Sequence, residues 1–233
     1  MKVALVTGGS SGIGAGVAQR LRESGTTVVV ADIAEPADVR CDVSVLEDNL
    51  RAVDHVMTTH GRLDLVFLNA GVASGCGVGD DFDPALYRRA MGVNLDGVVF
   101  GAHAALPALK ASGGGTIVAT ASMAGIVGIP QDPIYAANKH AVVGLIRSLG
   151  VALEPEGIRV QALCPSFANT AIIGDSRVLL EAEGFPIMEV ADVVDAFEKL
   201  LAGEGTGECW FVVSGRESEP FTFRRAPGPR QKP

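Results

Sequence analysis

Tyr135 and Lys139 lie one helical turn apart, at the start of a predicted helix, so both fall on one face. A free phenol has a pKa of about 10, too high to trade protons easily near neutrality. A nearby ammonium favours the phenolate and lowers that value. Such a pair can act as general acid or base toward an alcohol or ketone oxygen, and the lysine can hydrogen-bond a sugar hydroxyl. The spacing alone is common on surface helices. Ser122, thirteen residues before the tyrosine and just past a predicted strand, adds a hydroxyl that can hold the reacting oxygen. Its plainer role is to cap a turn.

A second group sits near the N-terminus. Thr7-Gly8-Gly9-Ser10-Ser11-Gly12-Ile13-Gly14 joins the first predicted strand to the first predicted helix. Glycines let a backbone approach a pyrophosphate, and a helix N-terminus offers it free N–H donors. Ser10 and Ser11 add hydroxyls. The spacing G-x-x-x-G-x-G is not the G-x-G-x-x-G fingerprint, and such a segment can be only a turn. Asp32, 18 residues after Gly14 at the end of the second strand, supplies context, with Ile33 beside it. A carboxylate there accepts both ribose hydroxyls of an adenosine and repels a 2′-phosphate. No Arg or Lys lies in the turn or directly after Asp32. NAD is therefore expected over NADP.

These groups need a scaffold, and strand and helix signals alternate along the chain. Strands are predicted at Val3 to Val6, Thr26 to Ala31, Val39 to Cys41, Leu63 to Leu68, Thr116 to Thr120, Ile158 to Leu163 and Glu208 to Val213. Helical spacing covers 12–24, 45–60, 84–111, 133–153 and 189–202, with a helical piece within 168–183. Gly92 and Gly97 interrupt the pattern of 84–111. The alternation predicts an α/β fold: a doubly wound parallel sheet of about seven strands, with helices on both faces. This is a Rossmann fold, with ligands at the carboxyl ends of the strands. The residues between Asp32 and Val39 are too few for a crossover helix. One dinucleotide-binding and catalytic domain is expected over 1–213. A tail over 214–233, punctuated by Pro220, Pro227, Pro229 and Pro233, is expected to be extended or mobile.

Composition narrows the function. The net charge of −8 repels phosphate backbones, so no nucleic-acid partner is expected. Arg224, Arg225, Arg230 and Lys232 read as a solvated basic end. Cys41, Cys76, Cys164 and Cys209 form no C-x-x-C, and no His pair has metal-ligand spacing, so no metal is expected. Three of the cysteines fall in or beside buried strands, which fits a reducing compartment. No stretch approaches the roughly 20 apolar residues of a membrane helix, and the N-terminal apolar run is too short for a signal peptide. A cytoplasmic protein with no membrane partner is expected.

Taken together, the residues resemble the short-chain dehydrogenase/reductase family over roughly 2–170. The glycine turn resembles its TGxxxGIG motif, and Cys41-Asp42-Val43-Ser44 its D-V segment. Asn69-Ala70-Gly71 resembles its NAG motif, and Asn94 its helix asparagine. Ser122, Tyr135 and Lys139 match its S-x12-Y-x3-K signature. The resemblance implies a tetrad of Asn94, Ser122, Tyr135 and Lys139. In it Tyr135 exchanges the proton, Ser122 steadies the substrate, Lys139 tunes the tyrosine and holds ribose, and Asn94 holds a water linking Lys139 to solvent. Asp42 and Val43 would contact adenine, and Pro165, Ala168 and Thr170 would sit along the nicotinamide. Leu68 stands where the family often has a second asparagine, and Pro165-Ser166 replaces the usual Pro-Gly. A homotetramer is implied, or else a dimer.

The expected activity is hydride transfer between NAD and an alcohol or ketone. The small and apolar segments Val72 to Gly79 and Ala124 to Pro130, with Phe167, are expected to wall a pocket for a neutral substrate. Two other readings are an NADP-dependent ketone reductase and a non-catalytic NAD-sensing protein of the same fold. A sensor has no need of Ser122, Tyr135 and Lys139 together.

Overall fold

Valine-rich segments with little polar content form buried strands, and amphipathic segments form the helices that cover them. The computed structural model describes residues 2–174 and 176–225. Its strands are β1 (Val3–Thr7), β2 (Thr27–Asp32), β3 (Val39–Arg40), β4 (Leu65–Leu68), β5 (Gly115–Thr120), β6 (Ile158–Pro165), β7 (Cys209–Val212) and β8 (Glu219–Pro220). Its helices are α1 (Gly12–Glu23), α2 (Leu46–His60), α3 (Pro84–Met91), α4 (Gly97–Ala111), α5 (Pro133–Leu153), α6 (Ser176–Ala182) and α7 (Val190–Ala202). No described helix is long and apolar enough to cross a membrane.

The sheet order is β3-β2-β1-β4-β5-β6-β7-β8. Every pairing is parallel except β7 with β8. The strand order reverses between β1 and β4, which opens a crevice at their carboxyl ends. Alternate residues of each strand feed two cores. Val3 and Leu5 of β1 pack with α2, α4 and α5 on one face, while Ala4 and Val6 pack with α1 and α7 on the other. Phe67 of β4 meets Phe197 of α7 with ring centroids 4.8 Å apart.

The expected seven strands fall one short. Residues 214–225, expected to be a loose tail, turn back and place β8 antiparallel on the edge of β7. Pro220 lacks an N–H, which an edge strand tolerates. Phe223 then packs against the core, and the Arg147 guanidinium lies 3.9 Å from its ring centroid. Arg230 and Lys232 lie outside the described residues.

The break expected in helix 84–111 is real. Between α3 and α4 the chain makes one wider π-helical turn, Gly92–Asp96. Gly92 of this turn and Gly97, which opens α4, face the segment before α2. A Cβ on Gly92 would lie 3.1 Å from Ser44 Cβ, and one on Gly97 would lie 2.8 Å from Val43 Cγ2. Glycine at both positions lets this helix lie against residues 42–44, at the rim of the crevice.

Candidate active site

A cleft of about 490 Å³ opens at the carboxyl ends of β1, β2, β4 and β5. The glycine turn forms its floor. Gly8 has φ +62° and packs so closely that a Cβ would sit 2.8 Å from Ala70 Cα. Gly12 has φ +53°, a conformation that disfavours any other residue, and faces the Thr170 methyl. Gly8, Ser11, Gly12 and Ile13 line the cleft. Ser11 makes no capping bond from its side chain, so its hydroxyl stays available there.

Ser10 and Gly14 are not part of this lining. The Ser10 hydroxyl lies 2.8 and 2.7 Å from the carbonyls of Ala34 and Pro36, within reach to donate to either. Ser10 therefore braces the β2–β3 link. Gly14 is buried where a Cβ would meet the Gly8 carbonyl at 2.1 Å. Its role is packing.

Asp32 closes the adenosine end. One carboxylate oxygen accepts the Ser10 N–H at 3.0 Å and the other the Ala34 N–H at 3.0 Å. These bonds hold the carboxylate in place and leave lone pairs facing the cleft, beside Ile33. No Arg or Lys follows Asp32 directly, but strand pairing brings one from further along the chain. Parallel pairing sets Arg40 in register with Asp32, and its guanidinium donates to the Ile33 carbonyl at 2.9 Å. Asp42 and Val43 line the next stretch of wall, with Asp42 turned by bonds from Ser44 N–H and Oγ at 3.0 and 2.7 Å.

Asn69, Ala70 and Gly71 follow β4 and also line the cleft. The Asn69 side chain is engaged with the frame. Its amide donates to the Gly8 carbonyl at 3.1 Å, and its oxygen accepts the Thr120 hydroxyl at 3.0 Å. It ties β1, β4 and β5 together at their carboxyl ends.

Tyr135 and Lys139 project from the first turns of α5 into the same cleft. Asp132 caps that helix by accepting the Tyr135 N–H at 2.9 Å, and Pro133 occupies its first turn. Desolvation pushes the Tyr135 phenol up to about 12; the Ser122 hydroxyl beside it pulls the other way, and Asp132 and Cys164 add to the rise. Lys139 is 2% exposed, and burial lowers its ammonium to about 8. It donates to the Thr120 carbonyl at 2.8 Å and lies 5.6 Å from the Tyr135 ring centroid. Desolvation, and not the expected pull of Lys139, sets the direction of the phenol. An ammonium has three donors, so two remain to meet hydroxyl groups in the cleft.

Ser122 and Asn94 support this pair from outside the lining. Ser122 caps a short turn by accepting the Ala124 N–H at 3.1 Å and lies 3.3 Å from the Pro165 carbonyl. The capping role expected of Ser122 is thus present. Asn94 is fully buried in the π-helical turn. It accepts the Val72 N–H at 2.9 Å and donates to the Val72 carbonyl at 2.9 Å and to Asn138 Oδ1 at 3.1 Å. Its side chain is thus committed to protein partners, and a water between Lys139 and solvent would have to use its main chain. Thr170 reaches the cleft, whereas Pro165 and Ala168 stand behind it, Ala168 bridged to Met188. Val72, Ala171 and Ile172 supply apolar lining.

The sequence reading missed several of these groups. Arg88 and Arg89 of α3 line the cleft, and Arg89 precedes Val93 by one turn on the same side. Thr120 and Asn138 were legible only as neighbours of Ser122 and Lys139. Among the described residues no cluster of His, Cys, Asp and Glu could hold a metal ion.

The buried lysine has a consequence for stability. Between about pH 8 and 10.5 the unfolded chain keeps a proton that folded Lys139 has lost. Stability therefore rises with pH across that window, by about 3 kcal/mol. Tyr135 acts oppositely above pH 10, where the folded phenol keeps a proton that the unfolded one loses. Denaturant melts of wild type and Lys139→Met from pH 7 to 10 read the lysine term as their difference. A constant difference across that range would contradict it.

A glycine turn at a sheet reversal, an acid at the end of β2 and a buried lysine in one cleft define a nicotinamide-dinucleotide-binding α/β oxidoreductase. Residues 2–178 match the family model described as short chain dehydrogenase. The chain belongs to the short-chain dehydrogenase/reductase family. It is 35% identical to a cyclohexanol dehydrogenase of Acinetobacter over 75% of this chain and 76% of that protein. It is 36% identical to a (-)-trans-carveol dehydrogenase of Rhodococcus erythropolis over 74% of this chain and 73% of that protein. A 3-ketoacyl-(acyl-carrier-protein) reductase from Brucella melitensis, solved with NADH, superposes with a TM-score of 0.84 at 28% identity. That match covers 92% of this chain and 98% of the other.

Proposed function

We propose that this chain is an NAD-dependent dehydrogenase of neutral secondary alcohols, alicyclic ones above all, and a reductase of the matching ketones. The observation that carries this reading is the convergence of Tyr135, Ser122 and buried Lys139 beside the glycine turn and Asp32. The named activities of the two bacterial relatives support the substrate class. Apolar Val72, Ala171 and Ile172 suit a hydrocarbon ring.

A bound nicotinamide supplies or accepts the hydride. The residues of the chain supply position and the proton. Asp32 would hold the adenosine ribose hydroxyls, and the N-terminus of α1 would receive the phosphates. The two remaining donors of Lys139 take the nicotinamide ribose. Ser122 holds the substrate oxygen against Tyr135. With a phenol near 12, Tyr135 is protonated at neutral pH and donates its proton to the ketone oxygen during reduction. In oxidation it takes the alcohol proton back. The positive charge of Lys139, retained below about pH 8, favours the phenolate that forms in between. We further infer a homo-oligomer joined through α4 and α5, whose outer faces expose Val99 and Val151.

Arg40, in register with Asp32, favours a second reading, in which the cofactor is NADP. The Asp32 carboxylate, held by two N–H groups at the cleft wall, opposes it. NAD is expected to bind more tightly than NADP by on the order of tenfold. Titration calorimetry with both dinucleotides, followed by NADH formation from cyclohexanol and NADH consumption with cyclohexanone, tests the whole reading. Equal affinities would remove the Asp32 argument. Tight NAD binding with no turnover across alcohols and ketones would favour a sensor.

A further inference from the structure

We propose that Asp132 and Ser74 form a clamp that locks the 72–83 segment, which brings Val72 to the cleft, to the N-terminus of α5 and thereby positions Tyr135. The proposal rests on Tyr135 being the acid/base. A helix cap needs one acceptor for one backbone N–H. Asp132 does more than that. Its Oδ1 accepts the Tyr135 N–H at 2.9 Å and also the Ser74 hydroxyl at 2.5 Å. Its Oδ2 accepts the Ser74 N–H at 3.1 Å. One carboxylate therefore joins the helix that carries Tyr135 to a residue 58 positions earlier. Ser74 is 1% exposed, in a segment whose neighbours Ala73 and Gly75 are exposed. The same hydroxyl lies 2.9 Å from the Cys76 carbonyl, within reach to donate to either acceptor, while the Ser74 N–H goes to the carboxylate alone, so a serine buried in a surface loop is a fixed point.

The segment has a second fixed point. Val72 is held at both its N–H and its carbonyl by Asn94. Val72 lines the cleft beside Tyr135. The segment is thus pinned at Val72 from the π-helical turn and at Ser74 from the start of α5. Only a carboxylate can accept all three Asp132 bonds. Asparagine retains the cap through its single oxygen but presents an amide donor to one of the Ser74 donors, which breaks the clamp.

The charge of Asp132 gives a second readout at the phenol. The groups facing the phenol are Ser122 after β5, Cys164 of β6, and Asp132 and Lys139 at α5, while Arg88 and Arg89 line the same cleft from α3. Asp132 raises the phenol, so its neutralisation lowers it.

The test uses S74A, S74T and D132N in the full chain, with NAD affinity and thermal melts as controls of folding. S74A cuts the clamp and leaves the cap and the charge. It is expected to raise KM for cyclohexanol about tenfold with an unshifted pH profile, and S74T restores it. D132N is expected to raise KM similarly and also to move the pH profile of alcohol oxidation to lower pH. Amide hydrogen exchange in 72–83 is expected to speed up in S74A and D132N and to recover in S74T, whether or not turnover is measured. Unchanged exchange and KM in S74A would overturn the clamp. An unchanged KM in D132N would overturn the positioning of Tyr135. Absence of turnover in the wild type would refute the functional reading, while exchange would still decide the clamp.

Discussion

Tyr135→Phe is expected to lower kcat for cyclohexanol oxidation by about a thousandfold and to leave NAD affinity within about twofold. The substitution deletes one oxygen. The ring remains, and with it the packing 5.6 Å from the Lys139 ammonium. The cap on α5 uses the Tyr135 backbone, so the helix start is preserved. What disappears is the group that gives and takes the proton beside Ser122. Lys139 is fixed on the Thr120 carbonyl, with its remaining donors assigned to the cofactor ribose, so no second group is placed to replace the phenol beside Ser122. Steady-state kinetics and calorimetric NAD titration on the same preparation check both halves. A kcat within tenfold of wild type would remove Tyr135 from the mechanism.

Gly14→Ala is expected to cost the chain its cofactor. The new Cβ would lie 2.1 Å from the Gly8 carbonyl oxygen and 2.6 Å from Asn69 Nδ2. The first is backbone and cannot swing aside. The second is the amide that ties β1 to β4. Either α1 moves off the sheet or the floor of the cleft moves, at about 1–3 kcal/mol of overpacking. Both movements displace the donors at the α1 N-terminus, and NAD affinity is expected to fall by about a hundredfold or more. Gly25→Ala is the control. Gly25 has φ +83° with nothing within 4 Å, so it carries backbone strain without a clash. It should lower Tm modestly and leave NAD binding unchanged. Equal NAD affinity in Gly14→Ala and wild type would show that the close approach at this turn is not needed for binding.

The two predictions draw on different parts of the chain's legibility. Tyr135, Lys139, Ser122 and the glycine turn were readable because each depends on local spacing. A helix puts i and i+4 on one face, and a glycine run between strand and helix signals has few uses. The break at Gly92 and Gly97 was readable for the same reason, though not its cause. Only the packed structure shows Val43 and Ser44 lying where Cβ atoms would be. The strand β8 escaped because a two-residue strand containing Pro220 carries no periodic signal. It exists because β7 leaves an edge to pair and Phe223 has a core to pack against.

The site shows the same division. By itself the sequence determined the alternating α/β pattern, the glycine turn, the acid ending β2 and the residue types of the proton-transfer group, since all follow from short-range periodicity and side-chain chemistry. Only the tertiary structure decided their surroundings. Parallel pairing brought Arg40 alongside Asp32, and burial set Tyr135 near 12 and Lys139 near 8. Packing turned the Asn94 side chain onto Val72, and a carboxylate 58 residues away took hold of Ser74. Hydrogen bonding and desolvation depend on which atoms meet in space. Contacts between residues far apart in the chain leave no trace in local spacing.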